Sequence, residues 1–265
     1  MKKVMSMFLV LVMLVMVVSG CSKVKDSGTQ ADSTKLNTAV LNVDANQGET
    51  SDGIFVWEGT VITDLTDKGL LEENIVIPDK ATEIGEHAFL ESKVVTVTMG
   101  DNVTKIDEDA FFSCIYLKSI NIPDTVESIG SSAFYQCKSL ESITIPASVK
   151  VIGEDTFYLC LALTSVTFNE GLTEIGETAF GCTSVATITL PEGLTTLGDR
   201  AFDPCPDTTN IYLPESLTSV GSGAFGLDYY AVINVKEGSW ADKNSESFIP
   251  KEPITDMEMF TKAYY

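Results

Sequence analysis

Cysteine, histidine and the carboxylates are the residue types here that could hold a metal or attack a substrate, and their spacing argues against both. Five of the six cysteines, Cys114, Cys137, Cys160, Cys182 and Cys205, each follow a phenylalanine by two or three residues. Stacked one per turn of a repeat, their Cα atoms would lie about 5 Å apart, within reach of a disulfide. Parallel side chains do not face each other, however, and the number is odd, so buried free thiols that pack as small hydrophobes are expected. There is no CxxC pair, and His87 is the single histidine. A Ser-His-Asp or Cys-His constellation would have to use His87, which the pattern places on an exposed turn. A column of acids, Asp79, Asp101, Asp124, Glu170, Glu192 and Glu215, is interrupted by Ala147. Unit charges 5 Å apart repel by about 0.8 kcal/mol in water. Calcium would relieve that, but no loop supplies its six or more oxygen ligands, so solvated charges are expected. No glycine-rich phosphate loop is present. The expectation is no catalytic residue, no cofactor, no metal and no enzyme.

A different chemistry is offered by a run of hydroxyls. Thr98, Asn121, Thr144, Thr167, Thr189 and Tyr212, with Val76 ahead of them, recur at one position of the repeat. Ser119, Ser142, Ser165, Thr187 and Asn210 recur two residues earlier. Strand alternation places both sets on one outward face. Two readings stay open: a flat, uncharged binding face, or simply the preference of threonine for strands.

These side chains must be positioned by a repeat. Phenylalanine recurs at Phe89, Phe111, Phe134, Phe157, Phe180, Phe202 and Phe225, at spacings of 22 or 23. Five residues before each stands Ile84, Ile106, Ile129, Ile152, Ile175, Leu197 or Val220, and three earlier Ala81, Val103, Val126, Val149, Leu172, Leu194 or Leu217. Upstream lie alternating triplets such as Ile143-Thr144-Ile145, which predict short strands. Proline ends most of them, at Pro78, Pro123, Pro146, Pro191 and Pro214. Glycine after the aliphatic position predicts a tight turn. A single helical or 3-10 turn then carries the Ala-Phe pair inward, and acids at its start (Glu86, Glu108, Glu154, Glu177, Asp199) suit its dipole. No unit buries its apolar side alone, so neighbours stack around one core.

The best-formed unit, Leu140-x-x-Ile143-x-Ile145-Pro146, then Val149, Ile152-Gly153, Phe157 and Cys160, resembles the leucine-rich repeats of BspA-type bacterial surface proteins. The resemblance covers roughly residues 54 to 240. It implies an α/β repeat solenoid with a parallel sheet on the concave face and short helical or 3-10 turns on the convex face, capped at both ends. Departures are local: the units around Glu91 and Gly181 are one residue short, and Thr208 occupies a leucine position. The expected organisation is an N-terminal cap at 54–74 built as a hairpin with Trp57 on the first turn, seven repeats at 75–231, and a C-terminal cap at 232–265. Trp240, Phe248, Met257 and Phe260 are expected to fold over that last end. In this family the concave sheet is the usual partner surface.

The first fifty residues carry a separate signal. Lys2 and Lys3 precede an apolar run from Val4 to Val18, broken only by Ser6 and too short to span a membrane. It ends at Val18-Ser19-Gly20-Cys21, which resembles the lipobox of bacterial lipoproteins. That likeness implies cleavage of a signal peptide, 1–20, and acylation of Cys21, tying the protein to the membrane. Residues 21–53 are polar and predict a flexible tether. With 38 acidic and 17 basic residues the formal net charge is −21, which repels phosphate backbones and excludes nucleic acid as a natural partner. The expected role is a lipid-anchored, extracytoplasmic module at the cell membrane or outer surface that binds an extracellular protein or glycan. The alternative is a structural or scaffold lipoprotein without an external ligand.

Overall fold

The computed structural model describes residues 53–226, 231–248 and 260–265, all within one unit, Asp44–Tyr265. The export segment 1–20, Cys21 and nearly all of the expected tether lie outside the described residues, as does Met257.

The chain coils, and each coil has three sides. The first is the triplet strand. Asn74–Val76, Thr96–Thr98 and Ser119–Asn121 pair in parallel, then Ser142–Ile145 with Ser165–Phe168, then Thr187–Thr189, Asn210–Tyr212, Ala231–Val235 and Phe260–Tyr264. The register is in phase with the repeat: Ser142 lies beside Ser165, and Thr144 beside Thr167. These sheets form the long ladder. The second side was not expected. The aliphatic position five residues before each phenylalanine belongs to a two-residue strand, and nine strands from Phe55–Glu58 to Ser219–Val220 form one continuous short ladder.

The third side corrects the sequence reading in one respect. The described repeats contain no helical or 3-10 turn on it; they contain paired tight turns instead. The residue two before each phenylalanine adopts a left-handed backbone: His87, Asp109, Ser132, Asp155, Thr178, Arg200 and Gly223. That conformation turns every second N–H out of the coil. Phe134 N donates to Thr156 O of the next coil at 2.9 Å, whereas Tyr135 N donates within its own coil to Ser132 O at 2.9 Å. A helical turn would point its N–H groups along its own axis and so forgo these links between neighbouring coils. With no helix dipole to serve, the acids at 86, 108, 154, 177 and 199 are exposed charges. Polar residues dominate the left-handed positions because they tolerate that region better than most.

Glycine after the aliphatic position answers to crowding and not to backbone sign. A Cβ at Gly221 would lie 2.3 Å from Asp199 N, and one at Gly198 2.5 Å from Gly176 C. A bare α-carbon relieves that crowding in six of the seven coils, and Asp107 takes the place after Ile106.

Between the three sides runs one core. Phe111, Phe134, Phe157, Phe180 and Phe202 stack along the axis with centroids 5.1–5.2 Å apart. The hairpin Phe55–Glu58/Val61–Leu65 closes the first end, and its second strand leads into the short ladder. Trp57 is buried there, edge-on to Phe55, with Lys80 Nζ 3.7 Å from its ring centroid. At the other end Phe248 stacks on Trp240 and meets Phe225. The expected last strand, Val232–Val235, is present as Ala231–Val235 and is flanked by a further parallel strand, Phe260–Tyr264.

Candidate functional site

The outward face of the long ladder gathers the hydroxyl positions into two parallel rows. Thr98, Asn121, Thr144, Thr167 and Thr189 are exposed in one row, as are Ser119, Ser142, Ser165 and Thr187 in the other. Buried Ile143, Ile188 and Ile211 alternate with them and hold the backbone flat against the core. Tyr212 is half-buried.

The hydroxyls of this face differ from those of the rest of the coil. On the short-ladder side, Thr104, Thr173, Thr195 and Thr218 each donate to a carbonyl of the preceding coil. Thr125, Ser148 and Ser216 do the same near the bend between the ladders. Among the described residues, Thr98, Ser119, Ser142, Thr144, Ser165, Thr167, Thr187 and Thr189 make no side-chain hydrogen bond within the protein. Two hydroxyl populations thus exist: one links coils, the other faces solvent, and Thr96 of this face, which donates to Asn74 Oδ1 at 2.6 Å, belongs with the first. Asn121 does too. Its Oδ1 accepts from Met99 N–H at 2.8 Å and its Nδ2 donates to Met99 O at 3.3 Å, so it extends the ladder by two bonds.

At the C-terminal end of the face stands an aromatic pair. Tyr265 lies edge-on to Tyr212, with centroids 5.8 Å apart and planes at 75°. Its hydroxyl donates to Leu213 O at 2.6 Å, which fixes the ring while 56% of the residue stays exposed. Tyr212 was visible in the repeat. Tyr265 was not, because it follows directly on a strand, Phe260–Tyr264, outside the periodic pattern. A second aromatic row, half-buried Phe112, Tyr135 and Tyr158, lies on the turn side with centroids 4.8 and 5.5 Å apart. Its signal, an aromatic directly after the core phenylalanine, was present in the sequence.

The acids that follow the strands, Asp79, Asp101, Asp124, Glu170, Glu192 and Glu215, are exposed along one edge of the face. Glu192 accepts from Glu215 N–H at 3.3 Å, and Glu215 pairs with Lys236. A hollow beside Asn121, lined also by Asp101, Ile122, Pro123, Asp124 and Thr125, is open to solvent. Among the described residues no group of His, Cys, Asp and Glu is placed to hold a metal ion.

The remaining reactive types serve structure. His87 lies on the turn side, Nδ1 3.2 Å from Glu86 and Nε2 3.2 Å from Asp109. Lys105 bridges Glu83 and Asp107 at 2.8 Å each, and those hydrogen bonds raise its ammonium to about 12. The thiols of Cys114, Cys137, Cys160 and Cys205 are free and buried, each donating to a phenylalanine carbonyl of an earlier coil at 3.0–3.3 Å. Cys182 does not share their column. It occupies the left-handed position one residue earlier, with φ 57°, and Thr183 takes the column place, 3.3 Å from Cys205 Sγ. Ser92 does likewise beside Cys114, so hydroxyls replace thiols in the two short units.

The family described as "BspA type Leucine rich repeat region" matches in six copies, over residues 70–181 and 127–238. The crystal structure of a T. pallidum leucine-rich repeat protein is similar at 32% identity and a TM-score of 0.58, covering 67% of this chain and 83% of that one. The pneumococcal vaccine antigen PcpA shares the fold, with a TM-score of 0.54 at 19% identity, over 73% of this chain and 65% of that one. No curated protein matches the chain.

Proposed function

This chain belongs to the BspA-type leucine-rich repeat family, and from that premise we propose that it is a lipid-anchored cell-surface module that binds an extracellular protein or glycan on its long-ladder face. The observation that carries this reading is the exposed row of hydroxyls without internal partners, ending at the fixed Tyr212–Tyr265 pair. Tyrosine offers a large rigid contact area at low entropic cost, which is why aromatic residues concentrate in binding surfaces. Thr98, Thr144, Thr167, Thr189 and Tyr212 would contact the ligand, with Asn121 supporting the strand end. Cys21 would carry the lipid, and the polar stretch after it would hold the solenoid off the membrane.

Two experiments test the reading. The full chain is presented to a panel of purified extracellular-matrix proteins and cell-wall polysaccharides. Thr144→Lys with Thr167→Lys is expected to abolish capture while leaving the melting temperature within the small range of surface substitutions. The control pair Glu154→Lys and Glu177→Lys changes net charge further on the turn side and is expected to keep binding. Loss only in the control would move the site to the turns; equal loss in both would reduce the interaction to bulk charge. For the anchor, Cys21→Ala is expected to leave the membrane fraction. A variant that stays there, processed and acylated, would refute the lipobox assignment.

A further inference from the structure

The occupant of the long-ladder face can be narrowed, on the premise that this face is the binding site. We propose that it takes a neutral, extended, β-linked polysaccharide lying along the solenoid axis, one sugar ring per coil, with Tyr265 as the stacking platform at one end.

The spacing comes first. Strands Ser142–Ile145 and Ser165–Phe168 pair in register over all four positions. Three consecutive coils, at Ser142/Thr144, Ser165/Thr167 and Thr187/Thr189, each present two outward hydroxyls, repeating along the axis at about the 4.8 Å strand spacing. Within a coil the two are two residues apart, about 6.6 Å across the axis. An extended β-linked pyranose chain advances by roughly the strand spacing per ring and carries hydroxyls on both edges of each ring. Ser142 and Thr144, then Ser165 and Thr167, then Thr187 and Thr189 would each flank one ring. Their hydroxyls have no competing partner in the protein, unlike Thr104, Thr173, Thr195 and Thr218.

Charge selects next. The two rows from Asn74 to Asn210 and from Val76 to Tyr212 contain no ionisable group except the Tyr212 phenol, in a protein of net charge −21. The acidic column along one edge, from Asp79 to Glu215, disfavours uronic-acid and sulfated polymers. A peptide is a poorer match. Adding a strand needs free backbone groups at a sheet edge, whereas those between Ser142–Ile145 and Ser165–Phe168 are spent on each other. An amphipathic helix needs an apolar groove, and Val76 is the one aliphatic side chain in either row. Tyr265, held by its own hydroxyl bond, presents an exposed ring without a further ordering cost.

The test uses soluble neutral β-1,4-linked oligosaccharides of two to six residues, titrated calorimetrically into the full chain. Affinity is expected to climb with each added ring, and polygalacturonate and coiled α-linked glucans are expected not to bind. Thr144→Val with Thr167→Val keeps shape and removes two hydroxyls, and should weaken the hexasaccharide about ten-fold. Tyr265→Ala should do the same. Thr173→Val with Thr195→Val, on the short ladder, should leave affinity unchanged. Affinity independent of chain length, or equal loss from both valine pairs, would overturn the axial arrangement. Binding of a purified matrix protein, lost in Thr144→Lys/Thr167→Lys, with no oligosaccharide binding at all, would overturn this inference while leaving the binding-face reading standing.

Discussion

The buried thiols show how far a residue's chemistry is set by what surrounds it. Burial pushes Cys114 and Cys205 up to about 12, against the smaller opposing effect of hydrogen bonds from Ser92 and Thr183. Burial likewise raises Cys137 and Cys160. The reactive species is the thiolate, so these side chains are inert despite their one-per-coil spacing. In the native protein at pH 8, peptide mass mapping after treatment with iodoacetamide should find Cys114, Cys137, Cys160 and Cys205 unmodified. All four should label once urea unfolds the chain. Modification of any of the four at the rate of an exposed thiol would show that the column opens in the folded state. Thr208, the hydroxyl at a leucine position, obeys the same accounting: it is buried and donates to Val185 O at 2.6 Å.

At the scale of the element, a coil is not a folding unit, because its three sides bond to the coils on either side and its phenylalanine packs between two others. Phe157 lies 5.2 Å from Phe134 and 5.1 Å from Phe180, fully buried. Phe157→Ala should therefore cost about 3–5 kcal/mol, the range for buried aromatic truncation. Phe112, in the half-buried outer row, has solvent on one side; its truncation should cost less than half as much. Urea midpoints of the two variants check the difference. Equal midpoints would mean that the inner row carries no more of the stacking than the outer one.

Across the whole molecule the dominant electrostatic fact is the formal charge of −21, which makes the folded chain repel itself at neutral pH. Burial raises Asp109, against the lowering effect of His87, and raises Asp155, against a hydrogen bond from Thr178. A carboxyl whose folded pKa lies above its unfolded value favours the folded state as it protonates, so both add stability as pH falls through their folded values. At Asp107 burial pushes upward, but the bonds from Lys105 and the Glu108 N–H outweigh it; Asp242 is held down first by Lys262. Those two contribute above their unfolded values and are lost only as pH falls through their lower folded ones. The melting temperature should accordingly rise as pH falls from neutral into the upper carboxylate range and fall in stronger acid. Asp109→Asn with Asp155→Asn should flatten the rise. A melting temperature that only drops as pH falls from neutral would show that the paired carboxylates dominate.

The period of the sequence determined the coil, its core and the outward direction of Thr98, Thr144, Thr167 and Thr189, because alternation and stacking leave a repeating apolar residue no other place to be buried. It could equally place Asn121 and Tyr212 on that face. It could not say that Asn121 would turn back on Met99, since that depends on where one strand ends relative to its neighbour. Nor could periodicity separate hydroxyls that link coils from hydroxyls left to solvent, because both look like threonine at a regular spacing. The third side was misassigned for a related reason. An Ala-Phe pair followed by polar residues suits a helical turn locally, and only the next coil's carbonyls make the left-handed alternation at residues such as Ser132 and Asp155 favourable. The shift of Cys182 out of the thiol column, and the arrival of Tyr265 beside Tyr212, were likewise decided between coils. A one-dimensional pattern specifies which residues repeat. The bonds between one turn and the next are what the tertiary structure supplies, and the candidate site consists of the groups those bonds leave over.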